Sequence, residues 1–203
     1  MAFFIADNII SPLGFTTKEN FKSIKKDRIG IDIINNPEIY TEPFPAAMID
    51  RDLVNKAFDE ISTNEPYTLI EKILILSISD ALKNSNIDIR SERTGMILST
   101  TKGNIDLLAS DKKDHFDKNR STLWRLGEVV ANHFNNPNQP IVLSNACISG
   151  VLVINIAAML IDEGKFDHMI VYGGDIVSRF VVSGFMSFLS LSHGACKPFD
   201  CLL

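Results

Sequence analysis

The apolar positions of this chain fall into two kinds of run, and their alternation predicts its elements. Short, nearly continuous apolar runs occur at residues 2–10, 94–99, 141–143 and 167–173. Runs of this length bounded by turn residues predict strands, and an unbroken run such as 94–99 fits a sheet covered on both faces. Ser11-Pro12-Leu13-Gly14 closes the first as a turn. Longer segments carry apolar residues at helical spacing. Phe21 and Ile24 follow a cap at Thr16 or Thr17 and run into Lys22, Lys25, Lys26 and Arg28. Leu53, Val54, Ala57, Phe58 and Ile61 follow Asp50, and Leu69, Ile70, Ile73, Leu74, Ile78, Ala81 and Leu82 form a wide apolar face. Trp124, Leu126, Val129, Val130 and Phe134 follow Ser121 or Thr122, and Phe180, Val181, Phe185 and Phe188 predict a short apolar helix. Pro37, Pro43 and Pro45 make residues 29–50 irregular or edge structure. Residues 100–104 read as a small polar loop, 104–119 as a charged segment, and 135–138 as a breaker.

Strands alternating with helices predict an α/β fold, its sheet mostly parallel with helices on both faces. The chain is organised around residues 140–164, which read as strand, sharp turn and buried helix, closing at Gly164 where a left-handed cap is needed. The apolar run 151–161 is too short for the ~20 residues of a bilayer span and is interrupted by Asn155. It predicts a central helix covered on both sides. Cys147 sits at the turn, near a helix N-terminus whose unpaired N–H groups and dipole favour a thiolate. Two readings of it stand: an activated nucleophile, or a small apolar filler.

Composition narrows the function classes. Hydrophobic residues make up 45% and charged residues 22%, values of a globular chain. A formal charge of −5 argues against nucleic acid as the main partner. The three cysteines, Cys147, Cys196 and Cys201, follow a start with no basic leader segment, which predicts free thiols and a cytoplasmic setting without membrane attachment. Cys196 and Cys201 lack a zinc-like ligand set, and Gly173-Gly174 lacks the spacing of a dinucleotide fingerprint, so neither metal nor cofactor is expected.

Four stretches together resemble the N-terminal half of a β-ketoacyl-acyl carrier protein synthase of the thiolase-like fold. Ile9-Ile10-Ser11-Pro12-Leu13-Gly14 is similar to the family's first strand and turn, and Asn145-Ala146-Cys147-Ile148-Ser149-Gly150 to its nucleophile turn. Tyr172-Gly173-Gly174-Asp175 with Gly184-Phe185 is similar to the next strand and helix, and Cys196-Lys197-Pro198-Phe199-Asp200 to an Arg-Pro-Phe-Asp signature. Ile148-Ser149-Gly150 departs from the Ser- or Ala-rich run of these synthases and reads a little like a thiolase.

The resemblance implies that Cys147 accepts an acyl group from acyl-ACP or acyl-CoA. A malonyl thioester is then decarboxylated, and its carbanion attacks the acyl group to give a 3-oxoacyl product. It implies that residues 1–203 form the N-terminal domain of a longer architecture. By the same resemblance a C-terminal half, with two histidines, a lysine and a glycine-rich oxyanion segment, is expected and is not among residues 1–203. It also implies a homodimer or heterodimer with Ile141–Leu143 at the interface, and an acyl-pocket role for Phe185, for which plain core packing is the alternative. His115, His133, His168 and His193 match none of the family's histidine motifs and read as structural or solvated. Lys22, Lys25, Lys26, Arg28, Lys112, Lys113, Lys118, Arg120 and Arg125 are either docking residues for an acidic carrier protein or solvated faces. Two further readings stand beside condensation: a non-catalytic thiolase-fold subunit that binds an acyl chain or pairs with a true synthase, and a cysteine hydrolase using one of the four histidines.

Overall fold

Most of the helices start where a short polar side chain satisfies backbone N–H groups that have no helical partner. In the computed structural model, which describes residues 1–61, 65–109, 116–192 and 194, α1 spans Thr17–Ile24 behind a capping box of Thr16 and Glu19. Helix α2, Arg51–Asp59, is capped by Asp50, and α3, Leu69–Lys83, by a second box of Thr68 and Glu71. Helix α4, Leu123–His133, begins at Thr122, whose hydroxyl donates to the Asn119 carbonyl rather than accepting from the helix. Helix α5, Ser149–Asp162, ends as its sequence requires: Gly164 takes φ +70°, and the N–H groups of Gly164 and Lys165 donate to Ile161 and Leu160. Helix α6, Arg179–Ser187, is capped by Ser178.

A small antiparallel ribbon pairs β1, Asp32–Ile34, with β2, Phe44–Ala46, and places Pro45 in edge structure. The main sheet is parallel, in the order β4-β3-β5, with β3 at Thr94–Ser99, β4 at Ile141–Leu143 and β5 at His168–Gly173. Every residue of β3 is buried, so its side chains reach both faces of a covered sheet. Met96 and Leu98 enter one cluster with Ile70, Leu74 and Ile78 of α3 and Leu126 and Val130 of α4. Ile97, on the opposite face, packs with Val153 and Ala157 of α5. This three-layer α/β arrangement is the expected one, with helices on both faces of the sheet. Among the described residues no helix is long and apolar enough to cross a membrane.

Two finer expectations are corrected. Residues 2–10 form no strand: the only bridge nearby joins Ser11 to Gly14, and Phe3, Phe4, Ile5 and Ile9 are exposed. An apolar run becomes a strand only where it forms a ladder with a neighbour, and among the described residues this one forms none. Side chains hold it instead. Asn20 Nδ2 donates to the carbonyls of Ile9, Gly14 and Thr16, and Asn8 Nδ2 to that of Phe15. The helix expected to be covered all round is covered on one side. Ser149, Val153 and Ala157 of α5 are buried, while Val151 is 65% exposed and Met159 58%. One layer of sheet can cover only one stripe of a helix.

Candidate active site

Parallel strands in register bring their carboxyl ends together. Ser99 of β3 lies beside Leu143 of β4 and Gly173 of β5, so the segments that leave these three residues meet at one edge of the sheet. Open α/β sheets hold ligands at that edge. The segment after β4 carries Cys147 in a 3-10 turn, Ala146–Ile148, directly before α5. Ala146 adopts φ +44°, a left-handed conformation that costs a residue with a Cβ about 1–2 kcal/mol. Ser149 holds this turn: its hydroxyl accepts from the Asn145 N–H at 2.7 Å and donates to the Ala146 carbonyl at 2.8 Å. Strain kept in place this way marks functional turns. The Cys147 thiol is free and exposed. It lines an open cleft of about 700 Å³ together with Thr100–Lys102, Ser149, Val153, Gly173–Asp175 and Phe185. Phe185, 51% exposed, is a cleft residue rather than a core one.

Asp175, the last residue of the Tyr172-Gly173-Gly174-Asp175 stretch, has a part that its sequence does not reveal. Its carboxylate in fact organises the opposite wall of the cleft. Oδ1 accepts from Thr100 Oγ1 at 2.7 Å, Thr101 N at 3.1 Å and Lys102 N at 3.0 Å, while Oδ2 accepts from Thr101 Oγ1 at 2.7 Å. The usable signal was the pairing of Thr100-Thr101 after one strand with Asp175 after a neighbouring parallel strand. Tyr172 also lines the cleft; burial raises its phenol above the ordinary value, so the group stays protonated, and its hydroxyl donates to the Gly127 carbonyl.

Behind this wall lies a buried polar network that the sequence did not announce. Glu71 is fully buried and accepts from Arg120 Nε at 2.8 Å and Arg120 Nη2 at 2.9 Å. Asn104 Nδ2 donates to Glu71 Oε1, and Thr68 Oγ1 donates to Asn104 Oδ1. Arg120, whose side chain is only 16% exposed, is thereby committed inside the protein and is no docking residue. Arg125 pairs with Glu128 on its own helix.

The histidines stand away from Cys147 where they are described. His168 opposes Thr94 at the amino ends of the strands, the far edge of the sheet. His133, at the end of α4, shares a 3.1 Å hydrogen bond with Tyr67 Oη among Phe58 and Phe134. Burial lowers its pKa, partly offset by Glu65. His115, His193, Lys112, Lys113, Cys196, Cys201 and the Lys197-Pro198-Phe199-Asp200 element lie outside the described residues. Among the described residues no group of His, Cys, Asp and Glu is placed to hold a metal ion.

A parallel sheet with helices on both faces, and a strand-turn-helix leading from its carboxyl edge into α5, fits the thiolase-like class. The family description "beta-ketoacyl synthase, N-terminal domain" matches residues 6–201, and the chain belongs to that family. No curated protein matches it. Solved structures resemble it throughout its length. A β-ketoacyl synthase from Burkholderia phymatum is 18% identical, with a TM-score of 0.73, and the match covers 97% of this chain and 53% of that one. The ishigamide ketosynthase/chain length factor is 19% identical, with a TM-score of 0.77, covering 97% and 52%. A ketosynthase from Xenorhabdus doucetiae in complex with its chain length factor is 18% identical, with a TM-score of 0.71, covering 96% and 52%. At these identities the likeness shows the fold. The chain spans about half the length of the solved structures that it matches.

Proposed function

We propose that Cys147 is the acyl-accepting nucleophile of a β-ketoacyl synthase reaction. The observation that carries this reading is its placement: a free, exposed thiol in a strained turn, at the end of a strand and the start of a helix, opening on a cleft. The Cys147 thiolate, its proton released to solvent, attacks the carbonyl carbon of an acyl thioester on acyl carrier protein or coenzyme A. The carbonyl oxygen becomes an oxyanion, for which the Cys147 N–H is the donor that this chain supplies. The bond to the carrier sulfur then breaks, and the carrier thiolate leaves and takes a proton. In the condensation step malonyl thioester loses carbon dioxide. The electron pair left on carbon attacks the acyl carbonyl, and Cys147 departs as thiolate.

Phe185 packs against the acyl chain in this reading, and 1–203 is the N-terminal domain of a synthase whose C-terminal half supplies the decarboxylating groups. Two features favour work in a dimeric assembly: among the described residues β4 is an edge strand beside the nucleophile turn, and α5 carries an uncovered apolar face. A heterodimer with a chain-length-factor-like subunit fits the complexes among the solved relatives. Pre-incubation with an acyl thioester tests the acyl acceptor. Cys147 should become protected from iodoacetamide while Cys196 and Cys201 continue to react. Equal alkylation of all three cysteines with and without thioester would count against it.

A further inference from the structure

We propose that Lys102 recognises an oxyanion, a carboxylate or a phosphate, carried by the thioester that enters the Cys147 cleft. The inference rests on the reading of Cys147 as acyl acceptor and adds a substrate preference to it. Lys102 is the one basic residue among those lining the cleft, is half-buried, and makes no ion pair among the described residues. The one carboxylate of the lining, Asp175, has its oxygens occupied by the hydroxyls of Thr100 and Thr101 and the N–H groups of Thr101 and Lys102. Its charge is therefore spent on shaping the backbone, and the ammonium is left for a group from outside.

The segment that carries Lys102 is held at both ends. On one side stands the Asp175 clamp. On the other, Gly103 takes φ +51° and donates to Thr100 Oγ1 at 2.9 Å, where a Cβ would stand 2.9 Å from Leu123 Cδ2. Asn104 follows, fully buried and bonded to Glu71 and the Arg120 carbonyl. A lysine on a floppy surface loop is usually solvated. Here the backbone that carries the lysine is pinned on both sides, which lowers the cost of binding. A cation on the wall of a cleft whose lining is largely apolar attracts an anion more strongly than it would in bulk water.

The test measures Cys147 acylation of the full chain by butyryl-N-acetylcysteamine, which is uncharged, succinyl-N-acetylcysteamine, which adds a carboxylate, and butyryl-phosphopantetheine, which adds a phosphate. Wild type should favour at least one anionic thioester. Lys102→Met should lose that preference by about tenfold, the scale of one hydrogen bond to a charged group. The readout is the ratio of anionic to neutral rates, at an unchanged melting temperature, and Lys102→Arg should restore that ratio. A loss confined to the succinyl compound assigns the site to a carboxylate on the acyl group; a loss confined to the phosphopantetheine compound assigns it to phosphate. Normal neutral acylation with rates that Lys102→Met leaves alone, or lowers equally for all three, overturns this inference only. Absence of Cys147 acylation by every thioester overturns the acyl-acceptor reading and this inference with it.

Discussion

At the level of single residues, Gly173 lacks a side chain because β5 comes too close to β3 for one. A Cβ there would overlap the Ser99 carbonyl oxygen and stand 2.9 Å from the Ser99 Cβ, at the rim of the cleft. Gly173→Ala should lower stability by about 1–3 kcal/mol through overpacking, seen as a lower Tm, and slow modification of Cys147. Arg120 makes a different point. Arg120→Met leaves the Glu71 carboxylate buried without its cation, and breaking a buried pair in this way costs about 3–5 kcal/mol. Urea unfolding should show it, whereas Lys22→Met on the exposed face of α1 should change little. His133 sets a pH dependence. Burial holds its pKa below the ordinary value near 6.5, so the unfolded chain binds the proton more readily. Stability should rise with pH across that window: present at pH 7, it is lost as the pH falls through 6.5 toward the native pKa. His133→Phe should flatten the slope of Tm between pH 7 and pH 5.

Among the elements, α5 separates what periodicity reveals from what it does not. Its existence, its Gly164 ending and its place after Cys147 were legible, because apolar length and a left-handed glycine are properties of the chain itself. Its one-sided burial was not, because coverage depends on the layer packed outside it. Residues 2–10 fail for the same reason: their composition is strand-like, but pairing needs an edge that another segment must supply. The cap at Asp50 was readable from neighbouring residues, that of α1 was narrowed to Thr16 or Thr17 and is Thr16, and the Thr68 cap of α3 was not anticipated. Cys147 was legible through its local turn, while the Asp175 clamp spans 74 residues to Thr101 and could emerge only from the strand order. Met159→Glu on the uncovered face of α5 should leave the stability of the isolated chain within about 0.5 kcal/mol, as exposed substitutions do. If this face is an interface, the same change should weaken association in analytical ultracentrifugation.

For the whole molecule, the sheet, its two helical layers and the family match describe the N-terminal domain of a β-ketoacyl synthase. Acyl transfer and condensation are then separable properties. Transfer needs a nucleophile, a cleft and an oxyanion donor, all of which these residues supply in the proposed reading. Condensation also needs donors that drive decarboxylation, and the described histidines, His133 and His168, stand away from the cleft. In the proposed reading Cys147 takes up an acyl group, and release of a 3-oxoacyl product requires decarboxylating groups beside it as well. The most direct measurement is intact-mass spectrometry of wild type and Cys147→Ala after exposure to an acyl thioester. One acyl group per wild-type chain and none on Cys147→Ala is the predicted result. An adduct that persists in Cys147→Ala, or none on a folded wild-type chain, would contradict the account.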